Sequence, residues 1–342
     1  MTQLILPGVD LNAFDHLVAY GIAAIVRAAG VSSPRLAWTD ELDPRPTLDG
    51  TDWESIGAAV HARAATLADP NSWVQADGTI AGARTGLFSP RVKAMQRDEI
   101  TAWYSGRREA LDRVGEAPPA LLDLDLIGAL GEPSYWSFDR GDPRPDYGAS
   151  RWEMKTRNRG EEFISNRFRL LTAAVAARTT EQIVAGLRGD TVIDEAGKNR
   201  PGSRTPTGLM PPGPADNARA WCALWGISLF PVIHTRTGAS RTAGHLGHHG
   251  AGALYLPLMT RPWPIARLRS VLISAQLRTA ACAEPADQRP AVTRGERDVA
   301  WAWLNARGMS AVVRFPVFKS ANASAPEKWA ERGQRILPGT MR

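Results

Sequence analysis

Apolar residues recur at helical spacing from the start of the chain. Phe14, Leu17, Val18, Ile22, Ile25 and Val26 predict a helix from about Asn12 to Ala29, capped by Asp10 or Asn12 and ended at Gly30. The pattern then shortens: RLAW and RPTL, either side of the polar TDELDP, predict the two strands of a hairpin. TDWESIGAAVHARAATLADP reads as a capped helix stopped by Pro70. Helical spacing returns from Ser89 to Val114, and EAPPALLDLDLIGALGEP is a helical run between two proline breaks.

Residues 139–150 carry turn chemistry without core periodicity and predict an exposed loop or junction. Beyond it, EEFISNRFRLLTAAVAA and TTEQIVAGLRG predict two helices, the second with a capping Thr and a terminal Gly. Residues 194–215 predict a long loop, a feature usually functional or disordered. DNARAWCALWGISLFPVI is an apolar helix or a helix running into a strand, and RTGASRTAGHLGHHGAGA is a second, glycine-rich loop. LYLPLMT and MSAVVRFPVFKS predict strands, RGERDVAWAWLNARG a helix, and a polar tail closes the chain. The whole predicts an α+β fold, helix-rich and mixed, with short antiparallel strands and long basic loops. Trp221, Trp225, Trp301 and Trp303 sit among aliphatics at core-like spacing.

Charge changes this picture. Residues 1–150 carry 13 Lys and Arg against 21 Asp and Glu, a net −8, whereas residues 151–342 carry 28 against 14, a net +14. The chain is accordingly divided into an acidic region, 1–145, and a basic α+β region, 146–342. Such asymmetry implies an anionic partner for the second region, or attraction between the two within one fold. Arginine supplies 36 of the 41 basic residues in a chain rich in Ala, Gly and Pro, so the preference for Arg over Lys carries little weight. The sign does: the 67 residues between Asp216 and Glu284 hold seven arginines, four histidines and no carboxylate.

Three basic segments are candidate contacts for a polyanion. In the first, Arg151, Lys155, Arg157, Arg159, Arg167 and Arg169 lie beside Trp152, Asn158 and Asn166, and guanidinium forks, amides and an indole suit phosphates and bases. A solvated helix face with Glu153, Glu161 and Glu162 pairing locally is the alternative. The second is GKNRPGSRTPTG, with Lys198, Arg200 and Arg204, three glycines, and hydroxyls at Ser203, Thr205 and Thr207; a plain connector is its alternative. The third brings Arg236, Arg241, His245 and His248 to the glycine-rich loop.

Catalytic signatures are absent, and no cofactor is expected. Cys222 and Cys282 are too few for a disulfide framework or a thiolate metal cage, which suggests a reducing, cytoplasmic setting. Nothing approaches the run of about eighteen apolar residues that spans a membrane, and MTQLILPGVD lacks a leader's basic start. Asp123 with Asp125, or Asp194 with Glu195, are the carboxylate pairs open to metal chemistry.

Two stretches, FDHLVAYGIAAIVRAAG followed by LAWTDELDPRPTL, and WCALWGISLFPVI, resemble large-subunit-like proteins of type I CRISPR effector (Cascade) complexes, subtype U/G, with Ile22 in place of the usual leucine. The resemblance covers about a tenth of the chain and transfers no functional residue. It implies a non-catalytic subunit of an RNA-guided surveillance complex in antiviral defence. Such a subunit grips target DNA or guide RNA backbone beside other effector subunits, while a recruited nuclease-helicase cleaves. The rival reading is a metal-dependent nuclease or phosphohydrolase using His245, His248 and His249.

Overall fold

The computed structural model describes residues 3–80, 82–92, 97–116, 120–139, 142–143, 145–154, 163–235, 240–247, 252–282, 291–322 and 326–339. Its helices are α1 (Ala13–Ala28), α2 (Trp53–Ala68), α3 (Arg97–Glu116), α4 (Ala120–Leu130), α5 (Arg169–Ala176), α6 (Thr180–Arg188), α7 (Asn217–Gly226), α8 (Ile265–Leu272), α9 (Ala275–Ala281) and α10 (Arg294–Asn305). With small antiparallel sheets beside them, the fold is α+β and helix-rich.

Helix α1 is the centre, buried along nearly its whole length. Asn12 caps it by accepting from the Phe14 amide at 3.0 Å. It packs backbone to backbone on α7. A Cβ on Gly21 would strike the Cys222 carbonyl oxygen, and one on Gly226 the Leu17 carbonyl oxygen, so only glycine permits this approach. The two stretches that carry the family resemblance are thus each other's packing partners. The cap and terminal glycine expected for TTEQIVAGLRG are in place: Thr179 and Gln182 form a capping box on α6, which ends at Gly189 with φ 74°; Thr293 and Glu296, not expected from sequence, form a second box on α10.

The predicted hairpin forms from Arg35–Trp38 and Pro46–Asp49, with Leu36 opposite Leu48. Strand Leu4–Ile5 extends it on one side, and Trp263–Pro264, from the far end of the chain, on the other. A second sheet joins Ala253–Met259 to Met309–Lys319. The polar tail is not loose chain: Lys328–Ala330 and Gln334–Ile336 both pair with Met309–Lys319, burying Ala330. A hairpin of Asp77–Ile80 and Ala83–Gly86 sits where apolar periodicity was too short to show it.

Elements from both sides of residue 145 share one sheet and one core. Ion pairs bind them further: Arg219 to Asp15 at 2.5 Å, Arg269 to Asp125 at 2.6 Å, Arg169 to Asp77 at 2.7 Å, and Arg335 to Asp10 through a hydrogen bond of 2.8 Å. Part of the charge asymmetry is therefore neutralised inside the fold. Among the described residues no helix is long and apolar enough to cross a membrane.

Candidate nucleic-acid interface

The turn before α5 is π-helical, Ile164–Phe168. Phe168 anchors it among aromatic rings, stacked on Trp73 and on Trp221 with centroids 6.0 and 6.2 Å away and edge-on to Trp225 at 5.3 Å. π-Helical turns recur at functional sites because the extra residue re-aims its neighbours. Here the turn carries Asn166, exposed, and Arg167, mostly buried.

The long loop 194–215 is ordered from within. Asp194, fully buried, accepts through Oδ1 from the Gly197 amide at 2.8 Å, the Thr205 hydroxyl at 2.6 Å and the Asn217 side-chain amide at 2.9 Å. At its base Arg178 donates to Asp216 at 2.9 Å, to Glu195 at 2.7 Å and to the Ile193 carbonyl at 2.7 Å. Asp216 also caps α7. At its far side Arg204 grips Glu327 with both carboxylate oxygens near 3 Å, and the Ala330 amide donates to the Gly208 carbonyl at 2.7 Å. The non-glycine residues with positive φ among those described, Lys198, Asn199 and Thr207 at 51–56°, all lie in this loop. Such strain persists only where surrounding structure holds it, and it concentrates at functional sites. A flexible connector does not describe this segment.

Loop and π-turn enclose a cavity of about 300 Å³. Asn166 and Arg167 meet Lys198, Arg200 and Arg204 along its wall, so two segments separated in sequence converge. Lys198 and Arg200 are exposed and make no ion pair with a described residue. Arg204 is partly neutralised by Glu327. Ser203, Thr205 and Thr207, expected as phosphate donors, instead donate to Thr205 Oγ1, Asp194 and the Pro206 carbonyl, so their hydroxyls build the loop.

Other expected contacts lie elsewhere. Trp152 is fully buried, donates to the Ala243 carbonyl at 2.8 Å and packs on Phe230 at 4.4 Å; it is a core residue, with no face left for a base. Arg169 is held by Asp77 and by the Val74 carbonyl at 2.9 Å. Arg151 is drawn inward, its amide on the Thr242 hydroxyl at 3.0 Å and its guanidinium on the Tyr147 carbonyl at 3.4 Å. Burial, with Arg91 nearby, pulls that guanidinium down to about 10. Arg241 is exposed and His245 half-buried on neighbouring short strands. Lys155, Arg157, Asn158, Arg159, Arg236, His248 and His249 lie outside the described residues.

The carboxylate pairs diverge. Asp123 bonds Arg63 and the Trp73 indole while Asp125 pairs with Arg269, and Asp194 turns into the loop while Glu195 holds Arg178. Among the described residues no three His, Cys, Asp or Glu gather as metal ligands. Sequence reasoning missed Arg178, Asp216 and Asn217, which organise the loop. The cap position of Asp216 ahead of an apolar helix was their one visible signal. Comparison with known proteins finds no matching family model, no matching curated protein and no matching solved structure.

Proposed function

We propose that the protein is a non-catalytic nucleic-acid-binding subunit that holds a phosphate backbone against the cavity formed by the π-turn and the 194–215 loop. The observation that carries this reading is the convergence of Asn166, Arg167, Lys198 and Arg200 on one cavity. The loop beneath them is fixed by buried hydrogen bonds, so the backbone that carries its cations needs little further ordering on binding. The resemblance of α1 and α7 to type I CRISPR effector subunits supports a place in an RNA-guided complex. There the partners are target DNA or guide RNA, sister subunits and a recruited nuclease-helicase, and base pairing rather than this chain reads sequence.

The test is binding of the purified chain to single-stranded DNA, duplex DNA and guide-like RNA across a salt series. The expected result is steeply salt-dependent binding that weakens in Lys198→Ala/Arg200→Ala, both substitutions being on exposed side chains. Identical affinity and salt dependence in that variant would remove the cavity from the interface. Metal-dependent cleavage of the same nucleic acids would favour the hydrolase instead.

A further inference from the structure

On the other side of the π-turn, where Phe168 stacks on Trp73, lies a second and larger cavity of about 480 Å³. It opens between the end of α2, the loop that follows, α3 and α4. Leu67, Phe88, Ala110 and Val114 give it apolar walls. Thr66, Asp69, Asn71 and Ser72 line its more exposed side, where Asp69 accepts from the Asn71 amide at 2.8 Å and Ser72 donates to the Leu67 carbonyl at 2.7 Å; its buried polar groups are Arg63 and Asp123. Asp123 accepts at Oδ1 from both Arg63 and the Trp73 indole, the latter at 2.8 Å, and Oδ2 takes no hydrogen bond from a described residue. Arg63 lies over the Trp225 ring at 4.9 Å, and its Nε is buried without a hydrogen-bond partner. At the mouth Arg113 is exposed and makes no ion pair with a described residue.

A buried ion pair is a weak source of stability, because desolvating both charges offsets most of their attraction. Keeping one at the floor of an apolar cavity of ligand size, with an acceptor oxygen to spare, is the pattern of a small-molecule site. The acceptor calls for an N–H donor, the apolar walls for a flat ring, and Arg113 for an anionic group. We infer that this cavity binds a single nucleotide, its amino-bearing base edge directed to Asp123 and its phosphate to Arg113. Uracil and thymine suit the floor poorly, since their one ring N–H is flanked by carbonyls that a carboxylate repels, whereas cytosine, adenine and guanine present an amino group. The choice of a nucleotide rests on the proposed function; the existence of a ligand site does not.

Calorimetry with CMP, AMP, GMP and UMP at millimolar concentration tests this on the intact chain. The expected result is binding of at least one of the first three at least tenfold tighter than UMP. Ala110→Phe, which fills the cavity and leaves Arg63 and Asp123 in place, should abolish it with an unchanged circular dichroism spectrum. Arg113→Ala, on an exposed side chain, should weaken nucleotide binding at least fivefold and leave binding of the free nucleoside unchanged. No heat with any of the four, equal binding of UMP, or wild-type binding by Ala110→Phe would overturn the inference. The two readings fail separately. Nucleotide binding without any polyanion binding sinks the backbone interface alone, and polyanion binding lost in Lys198→Ala/Arg200→Ala but without nucleotide binding sinks this cavity alone.

Discussion

Arg151 and Arg200 entered as members of the same basic half, and the fold treats them oppositely. Around residues 150–154, charge is turned inward: Arg151 reaches a backbone carbonyl, Arg91 faces Glu153 at 3.2 Å, and Trp152 fills the core. Around 166–167 and 198–204, buried acids hold the backbone from below and leave Lys198 and Arg200 outward. A run of arginines therefore says little until the acids that claim them are known, and several of those acids are a hundred or more residues away.

The strongest break of this comparison is Trp152→Ala, which empties a core site and should destabilise the protein by about 3–5 kcal/mol in urea unfolding. Nucleic-acid binding by the folded fraction should keep its salt slope. Asp216→Ala should cost less, roughly 1–3 kcal/mol, because it takes one of Arg178's two carboxylate partners, leaves the Ile193 amide without its acceptor and uncaps α7. It should also reduce polyanion binding by loosening the loop, which Trp152→Ala should not do.

Histidine extends the contrast. His16 is fully buried, its Nε2–H donating to the Asp10 carbonyl at 2.8 Å and Nδ1 facing the Tyr20 hydroxyl at 3.4 Å, and burial lowers its folded-state pKa to about 4. The unfolded chain, with a histidine near 6.5, takes up the proton first. Its contribution to stability is thus complete above about pH 6.5 and lost as pH falls toward 4, by roughly 3 kcal/mol. A His16→Gln variant should flatten that window of the stability profile, and a profile unchanged by the substitution would refute the assignment.

Much of the fold was legible because it rests on local signals. The helix of Phe14 to Val26, the RLAW/RPTL hairpin and the cap at Thr179 follow from spacing and capping alone. The tail strands were not, since Lys328–Ala330 and Gln334–Ile336 are strands only by virtue of the edge they join. The site was half legible. Lys198, Arg200 and Arg204 were visible as a cluster, but their meeting with Arg167 depends on Asp194, Arg178 and Asp216, whose bonds no spacing rule reveals. At the floor of the second cavity Asp123 was visible only as a neighbour of Asp125, and its pairing with Arg63, 60 residues away, left no signal.

The smallest effects on stability should come from the outward cations. Arg200→Ala should change unfolding free energy by less than about 0.5 kcal/mol. Arg169→Ala, which leaves Asp77 with Arg84 alone and the Val74 carbonyl without its donor, should cost about 1–3 kcal/mol.

The most direct measurement compares the salt slope of single-strand binding for the wild type, Lys198→Ala/Arg200→Ala and Arg151→Ala. Losing two phosphate contacts should make the slope shallower by about 1.4 in the cavity variant, while the Arg151 variant keeps the wild-type value. A full slope in the cavity variant, or a reduced one in Arg151→Ala, would contradict the account.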